Sequence, residues 1–330
     1  MEIEFLLMLQ NLRANVPDAV NVFFEQLSEG VGGTALVLFG AVVFWCIDKR
    51  AGYLMTVCYL ASSAVNQLIK NIACVYRPWI LDSRITPVPL AQEGATGYSF
   101  PSGHTTCATS ALGAFAIWQR KRPWLAAIAI ALILFTAISR MWLGVHMPKD
   151  VLTALALTTI MVLTCWKITR LLEEHPEKDI VVAAIVVAFS LVALAFCTLK
   201  TYPLHYDAAG MLLVDPEDMK ADCFSAFGAF MAFGVCWLAE RRLIKFTVEG
   251  DLKTRVIRAL VGAALVAGTL GLLSLAVKPL LPVFAYKFIK HALLVALVVL
   301  AYPACFMEAR KKRLAKDFAP ELAATDPAAR

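Results

Sequence analysis

Residues 139–150 read Ser-Arg-Met-Trp-Leu-Gly-Val-His-Met-Pro-Lys-Asp, and this stretch joins two long apolar runs of the chain. It places Arg140, His146 and Asp150 together at the boundary between those runs. Ionisable groups beside hydrocarbon are costly, so they mark a functional site by default. The stretch therefore predicts membrane-spanning helices that carry a polar site at their ends.

Two further stretches have the same character. Residues 70–78 read Lys-Asn-Ile-Ala-Cys-Val-Tyr-Arg-Pro, residues 101–104 read Pro-Ser-Gly-His, and each lies at the end of an apolar run. Together the three stretches supply two imidazoles, one carboxylate and the cations Lys70, Arg77 and Arg140. Such a set fits an anion that is both held and attacked, and phosphate fits it best.

The composition excludes a soluble globular protein, because 60% of the residues are hydrophobic, 17% are charged and the mean hydropathy is +0.69. A membrane-spanning helix needs about 20 mainly apolar residues. Because an open sheet cannot satisfy its backbone in lipid, we predict an all-α, polytopic transmembrane bundle of about nine spans. The nine apolar runs are roughly 31–47, 51–69, 102–119, 123–139, 150–167, 180–199, 223–239, 256–277 and 287–306.

The basic residues predict the orientation of this bundle. When the loops are assigned alternately to two sides, 20 of the 31 Lys and Arg residues fall on one side. The positive-inside rule makes that side cytoplasmic. The N-terminus and all three polar stretches then face the extracytoplasmic side, which is the periplasm, the cell exterior or an organelle lumen.

Four parts of the chain differ in composition. Residues 1–30 carry five acidic residues and apolar residues at near-helical intervals, so we predict extracytoplasmic interfacial helices there. Residues 31–200 form the transmembrane core with the polar stretches, and residues 201–306 form additional transmembrane helices. Residues 307–330 are predicted to be a basic cytoplasmic tail, which we expect to be disordered.

The cations and one turn can hold a phosphate group. The planar guanidinium groups of Arg77 and Arg140 match phosphate oxygens, and Lys70 adds a point charge. Ser102 and Gly103 directly precede a predicted helix, so their N–H groups and the helix N-terminus also point at an anion. These fixed donors would stabilise the charge that builds up during phosphoryl transfer.

The two histidines suit the chemical steps. His146 is the predicted nucleophile, because Asp150, four residues on, can accept its Nδ1–H and leave Nε2 free to attack phosphorus. His104 is predicted to protonate the leaving group and then to activate water on the phosphohistidine. One carboxylate against three cations repels Mg²⁺, so we expect no metal and no other cofactor.

The stretches also match, residue by residue, the signature K-x6-R-P, P-S-G-H and S-R-x5-H-x3-D. By this signature the chain resembles the type 2 phosphatidic acid phosphatase (PAP2) superfamily over roughly residues 50–170. That family includes lipid phosphate phosphatases, glucose-6-phosphatases and soluble bacterial acid phosphatases. The resemblance implies the same roles: nucleophile for His146, acid and base for His104, and orienting group for Asp150.

The sequence does not determine which phosphorylated compound is the substrate. A lipid phosphate or diphosphate is favoured because the site lies at the headgroup boundary, and the alternatives are a sugar phosphate such as glucose 6-phosphate and a lipid phosphotransferase. A lipid transporter is disfavoured, since transporters bind their substrate at the midplane between repeats. The expected partners are the phosphorylated substrate and membrane lipids. Nucleic acid is not expected, because the basic residues follow the membrane topology, and the oligomeric state is not predicted.

Overall fold

The computed structural model describes residues 1–32 and 34–307, and this part of the chain consists of helices and loops with one isolated antiparallel bridge between Tyr206 and Leu212. The helices are α1 (Glu2–Arg13), α2 (Asp18–Gly32), α3 (Thr34–Cys46), α4 (Lys49–Ala73), α5 (Pro78–Leu81), α6 (Pro89–Glu93), α7 (Gly103–Trp118), α8 (Pro123–Trp142), α9 (Pro148–Glu174), α10 (Asp179–Leu199), α11 (Pro216–Ala239), α12 (Leu252–Leu272) and α13 (Val283–Ala296). Three of them, α11, α12 and α13, continue into π-helical turns.

Seven helical segments of the described residues are long and apolar enough to cross a membrane. They are Asp18–Cys46, Pro123–Trp142, Pro148–Glu174, Pro176–Leu199, Pro216–Ile244, Leu252–Leu280 and Val283–Met307. The predicted all-α, polytopic class is thus confirmed, whereas the predicted number of spans, nine, is larger than this count. The other two predicted spans coincide with α4 and α7.

Both of these helices depart from an ordinary span for a physical reason. Helix α7 has 16 residues, or about 24 Å at 1.5 Å per residue, which is shorter than a hydrocarbon core of about 30 Å. Helix α4 has 25 residues but carries the buried polar side chains of Asn66, Lys70 and Asn71. Both helices bear the polar stretches identified in the sequence.

Helix α4 lies at the centre of the bundle, where it packs against α3, α7, α9 and α11. Gly52 allows the closest of these contacts, because a Cβ atom there would collide with the backbone of Phe44 on α3. At the N-terminal end of α4, Lys49 forms an ion pair of 2.7 Å with the fully buried Glu240. Lys70 is at the opposite end of the same helix, so the polar site lies about one helix length from this ion pair.

The N-terminal helices do not lie apart from the bundle. Helix α2 packs against α7 and α8, and α1 packs against α8. Residues 1–30, predicted as interfacial helices, therefore reach the helices that carry the site, and α2 with α3 forms a single candidate span over Asp18–Cys46. The predicted basic tail, apart from Met307, lies outside the described residues.

Candidate active site

The ends of four helices, α4, α7, α8 and α9, bring the predicted site residues together, with Asp150 in the first turn of α9. Lys70 is in the last turn of α4, His104 is in the first turn of α7, and Arg140 is in the last turn of α8. Arg77 and His146 lie in the loops that follow α4 and α8. All five side chains line one cavity of about 120 Å³, together with Gly103. The other two predicted residues, Ser102 and Asp150, do not line the cavity: Asp150 contacts His146, and Ser102 contacts Asp150.

Lys70 and Arg77 reach the cavity because the chain reverses after α4. Cys74 takes up a left-handed conformation with φ of 48°, and its N–H donates to the carbonyl of Lys70, which ends the helix. The Lys70 ammonium is buried and donates to the carbonyl of Tyr98 at 2.6 Å. A buried cation held by a carbonyl keeps its remaining donors for an anion.

Arg77 is fixed by the loop that follows it. Its guanidinium donates to the carbonyls of Gly97 at 3.1 Å, Thr96 at 3.0 Å and Val145 at 3.0 Å. The same Nη1 that contacts Val145 lies 2.9 Å from Nε2 of His146. The loop 79–100 therefore lines the cavity and fixes the position of the Arg77 guanidinium in it.

These contacts define the tautomer of His146. A guanidinium can only donate, so the His146 Nε2 facing Arg77 accepts and carries no proton. The proton is then on Nδ1, which lies 3.4 Å from Oδ2 of Asp150. Burial, followed by the charges of Arg77, Lys70 and Arg140, lowers the pKa of His146 well below its ordinary value. The imidazole is thus a free base with its lone pair toward the cations.

Oδ2 of Asp150, the oxygen that faces His146, also accepts from two other donors. It accepts the backbone N–H of Met147 at 2.9 Å and a hydrogen bond from the Ser99 hydroxyl. The Ser99 hydroxyl is also 3.3 Å from Nδ1 of His146, and Ser99 is fully buried. Ser99 is a site residue that sequence reasoning missed, since its only signal is a hydroxyl three residues before Ser102.

The start of α7 presents backbone donors to the cavity. The Ser102 side chain caps this helix by accepting from the N–H of Thr105. The Ser102 N–H, predicted to point at an anion, instead donates to the Asp150 carbonyl at 3.0 Å, whereas Gly103 lines the cavity. A Cβ at Gly103 would find no atom within 4 Å, so glycine there leaves space beside the helix N-terminus. That terminus favours an anion.

Helix α2 supplies residues that the sequence did not predict. Oε1 of Glu29 lies 2.7 Å from Nε2 of His104 and 3.5 Å from Nη1 of Arg140. The same Arg140 nitrogen donates to the hydroxyl of Ser28 at 3.2 Å. A carboxylate on one helix thus pairs with a histidine on another, in addition to the pair of His146 and Asp150. Glu29 and His104 are far apart along the chain, so the sequence did not indicate that they are in contact. The acidic residues of α2 were also consistent with the predicted interfacial helix.

Arg140 retains donors for a ligand. It is almost fully buried, and its Nε has no hydrogen-bond partner among the described residues. A buried unpaired donor is costly, so a phosphate oxygen at this point would relieve the cost. Within the described ranges, no group of three or more His, Cys, Asp and Glu side chains could hold a metal ion.

Comparison with known proteins identifies the family. The PAP2 superfamily model matches residues 51–174, and the model of the PAP2 superfamily phosphatase transmembrane extension matches residues 224–316. The chain is 30% identical over 169 residues to undecaprenyl-diphosphatase BcrC of Bacillus subtilis (strain 168). The matched region covers 51% of this chain and 82% of that protein. No solved structure matches the chain.

Two more relatives share smaller parts of their length. Identity is 25% over 211 residues to lipid phosphate phosphatase delta of Arabidopsis thaliana, covering 61% of this chain and 49% of that protein. Identity is 37% over 94 residues to phosphatidylglycerophosphatase B of Escherichia coli (strain K12), covering 25% of this chain and 36% of that protein. With the two family models and the match over most of the Bacillus protein, the chain belongs to the PAP2 superfamily of membrane phosphatases.

Proposed function

We propose that this protein is an integral membrane phosphatase that removes the terminal phosphate of a lipid phosphate or diphosphate through a phosphohistidine on His146. The observation that carries the proposal is the orientation of His146, whose unprotonated Nε2 faces Arg77 in a cavity that Lys70 and Arg140 also line. The names of the relatives, an undecaprenyl-diphosphatase and a phosphatidylglycerophosphatase, point to lipid substrates.

In the first step the phosphate enters among the three cations, and the Arg77 donor passes from Nε2 of His146 to a phosphate oxygen. Nε2 then attacks phosphorus, a P–N bond forms, and the P–O bond to the leaving group breaks. Asp150 accepts the Nδ1–H and stabilises the positive charge that develops on the ring. The leaving oxygen, an alkoxide or a lipid monophosphate, takes a proton from His104.

In the second step His104 takes a proton from water, and the hydroxide attacks the phosphohistidine. The P–N bond breaks, inorganic phosphate leaves, and His146 returns to its neutral form. Glu29 contacts Nε2 of His104, so Nδ1 is the nitrogen left for both proton transfers. The Glu29 carboxylate would orient the imidazole and stabilise it while it is protonated.

The proposal includes no metal. The charge of a phosphoryl group is matched here by Lys70, Arg77 and Arg140, which supply the positive charge that metal ions provide in metal-dependent phosphatases. We therefore expect full activity in the presence of EDTA.

A series of adjoining cavities favours a lipid over a sugar phosphate. The active-site cavity shares Lys70 and Gln67 with a neighbouring cavity of about 460 Å³. That cavity shares Tyr59 and Leu60 with a third of about 290 Å³, which is lined mainly by aliphatic side chains. Tyr59 lies eleven residues before Lys70 on α4, or about 16 Å along the helix. An apolar chain could follow this route from the phosphate into the bundle.

A phosphate-release assay on the purified full-length protein in EDTA tests the proposal. The substrates are a prenyl diphosphate, a prenyl monophosphate and glucose 6-phosphate. We expect release from the lipids and little from the sugar, with the activity lost in His146→Ala and retained in His175→Ala at the opposite end of α9. Release from the sugar phosphate alone, or from none of the three, would contradict the proposal.

A further inference from the structure

The cavity next to the active site is lined by a cationic cluster from the C-terminal extension. Lys287, Lys290 and His291 of α13 line the cavity of about 460 Å³, and Asp222 of α11 lies between it and the active-site cavity. These residues are outside the PAP2 match of residues 51–174, and the nucleophile and acid described above do not use them.

The cluster carries more positive than negative charge. Lys287 forms an ion pair of 3.0 Å with Asp222. Lys290 has no ion pair with any described carboxylate, and its ammonium lies 5.8 Å from the centre of the Tyr286 ring. His291 Nδ1–H donates to the carbonyl of Lys287 at 2.8 Å, so Nε2 of the neutral ring can only accept, and the positive charge of the cavity comes from the two lysines. Cations within a membrane-spanning segment are costly and mark a functional site by default.

The order of the cavities places this cluster between the phosphate site and the apolar cavity. Lys70 lines the active-site and middle cavities, while Lys290 and His291 line the middle and apolar cavities. At the junction of the first two cavities, the side-chain oxygen of Gln67 is buried and has no partner among the described residues. A ligand that follows this route meets the catalytic cations, then a second cationic cluster, then an apolar wall.

We propose that this cluster is a second anion subsite, which binds the inner phosphate of a lipid that carries two phosphates in series. Lipid diphosphates have this chemistry, and so do lipids in which a phosphodiester precedes a terminal phosphomonoester. The inner phosphate would contact Lys290 and Lys287 while the terminal phosphate lies against Lys70 and Arg77. This inference rests on the proposed phosphatase function, and it gives the extension helices a role in substrate selection.

The test is the selectivity for two phosphates over one at equal chain length. The ratio of kcat/KM for farnesyl diphosphate to that for farnesyl monophosphate is measured in the wild type and in Lys290→Gln. The ratio should be well above one in the wild type and should fall about ten- to a hundredfold in the variant, the loss expected for a charge-assisted hydrogen bond. Lys290→Arg, which keeps the charge, should restore most of the ratio.

Two controls separate a subsite from a lysine that only anchors the helix at the membrane surface. Lys278→Gln removes an exposed charge just before α13 and should keep the wild-type ratio. Lys287→Gln gives a second measurement at the same cavity if Lys290→Gln does not fold. A second pair, phosphatidylglycerophosphate and phosphatidate, tests the phosphodiester source, and a fall in either ratio supports the subsite.

The outcomes distinguish this inference from the proposed function. A wild-type protein that releases no phosphate from any of these lipids contradicts the phosphatase itself. An active wild type without preference for the second phosphate, or with ratios that both variants leave intact, overturns the subsite alone.

Discussion

Arg77 has two roles that a lysine cannot combine. Its guanidinium holds three backbone carbonyls and also contacts His146, whereas an ammonium is a single point charge. We expect Arg77→Lys to reduce kcat/KM about ten- to a hundredfold and to lower the melting temperature in detergent. Arg140→Lys should reduce kcat/KM similarly, and the exposed Arg84→Lys should do neither. Wild-type kinetics in both site variants would show that these arginines are not phosphate ligands.

Glu29 is the residue whose role the sequence alone did not suggest. If its carboxylate supports proton transfer by His104, Glu29→Gln should lower kcat about tenfold with little change in KM, within the range of general acid–base effects. The loss should be smaller for 4-nitrophenyl phosphate, because a good leaving group needs less protonation. Unchanged kcat with tighter inhibition by inorganic phosphate would instead show that the carboxylate competes with the substrate for Arg140.

The lowered pKa of His146 makes a prediction about pH. Because the pKa is depressed, the ring stays neutral and nucleophilic as the pH falls through about 6.5, and activity is lost only below the depressed value. The acid limb of kcat/KM should therefore lie below pH 6.5. Binding of substrate to inactive His146→Asn, measured over the same range, reports the ionisation of the substrate itself. If the acid limb of kcat/KM still lies at or above pH 6.5 after correction for the ionisation of the substrate, the lowered pKa of His146 is contradicted.

How much of the site the sequence predicts depends on how far apart the site residues are along the chain. His146 and Asp150 are four residues apart and flank the start of a helix, so their pairing follows from local geometry. The joint position of Lys70, Arg77 and Arg140 follows from helix ends at one membrane boundary. The contact between Glu29 and His104 depends instead on the packing of α2 against α7. No periodicity in the sequence specifies that packing, so only the structure reveals it.

Helices α11 and α13 form a close contact that positions the extension. A Cβ at Gly228 would lie 2.9 Å from the ring of Phe288 and 3.1 Å from its carbonyl oxygen, so even alanine would push the two helices apart. Overpacking of this kind costs about 1–3 kcal/mol. We expect Gly228→Ala to lower the melting temperature in detergent. Because Phe288 adjoins Lys287, it should also lower the diphosphate-over-monophosphate ratio.

Gly268→Ala on α12 is the matched control for that change. A Cβ at Gly268 would meet no atom within 4 Å, and alanine is the better helix former by about 1 kcal/mol. This variant should be as stable as the wild type or more so. Equal effects of the two substitutions would show that the contact between α11 and α13 does not limit stability.

The number of spans depends on how the two helices that carry much of the site, α4 and α7, are counted. The sequence predicts nine spans from runs of apolar residues, and all nine positions are helical in the described residues. Helix α7 is too short and α4 too polar to pass as ordinary spans, because both end in the site and turn polar side chains inward. Hydropathy indicates which helices contact lipid. It therefore identifies a membrane-spanning helix least well where that helix carries active-site residues.

For the molecule as a whole, we propose that the site faces the extracytoplasmic side. Single cysteines at Glu93 and Glu174, both exposed and at opposite ends of the bundle, test it in a background without reactive native thiols. An impermeant maleimide added to intact cells should label Glu93→Cys, and should label Glu174→Cys only after permeabilisation. The reverse pattern would place the site and its substrates on the cytoplasmic side.

The central claim is the covalent phosphohistidine, and rapid quench with lipid substrate labelled with ³²P in its terminal phosphate tests it most directly. We expect a base-stable, acid-labile adduct that maps to His146 within the first turnover and is absent from His146→Ala. In His104→Ala, a substrate with a good leaving group should accumulate the adduct, because water is no longer activated. Turnover without any trapped adduct, or an adduct that persists in His146→Ala, would contradict the account.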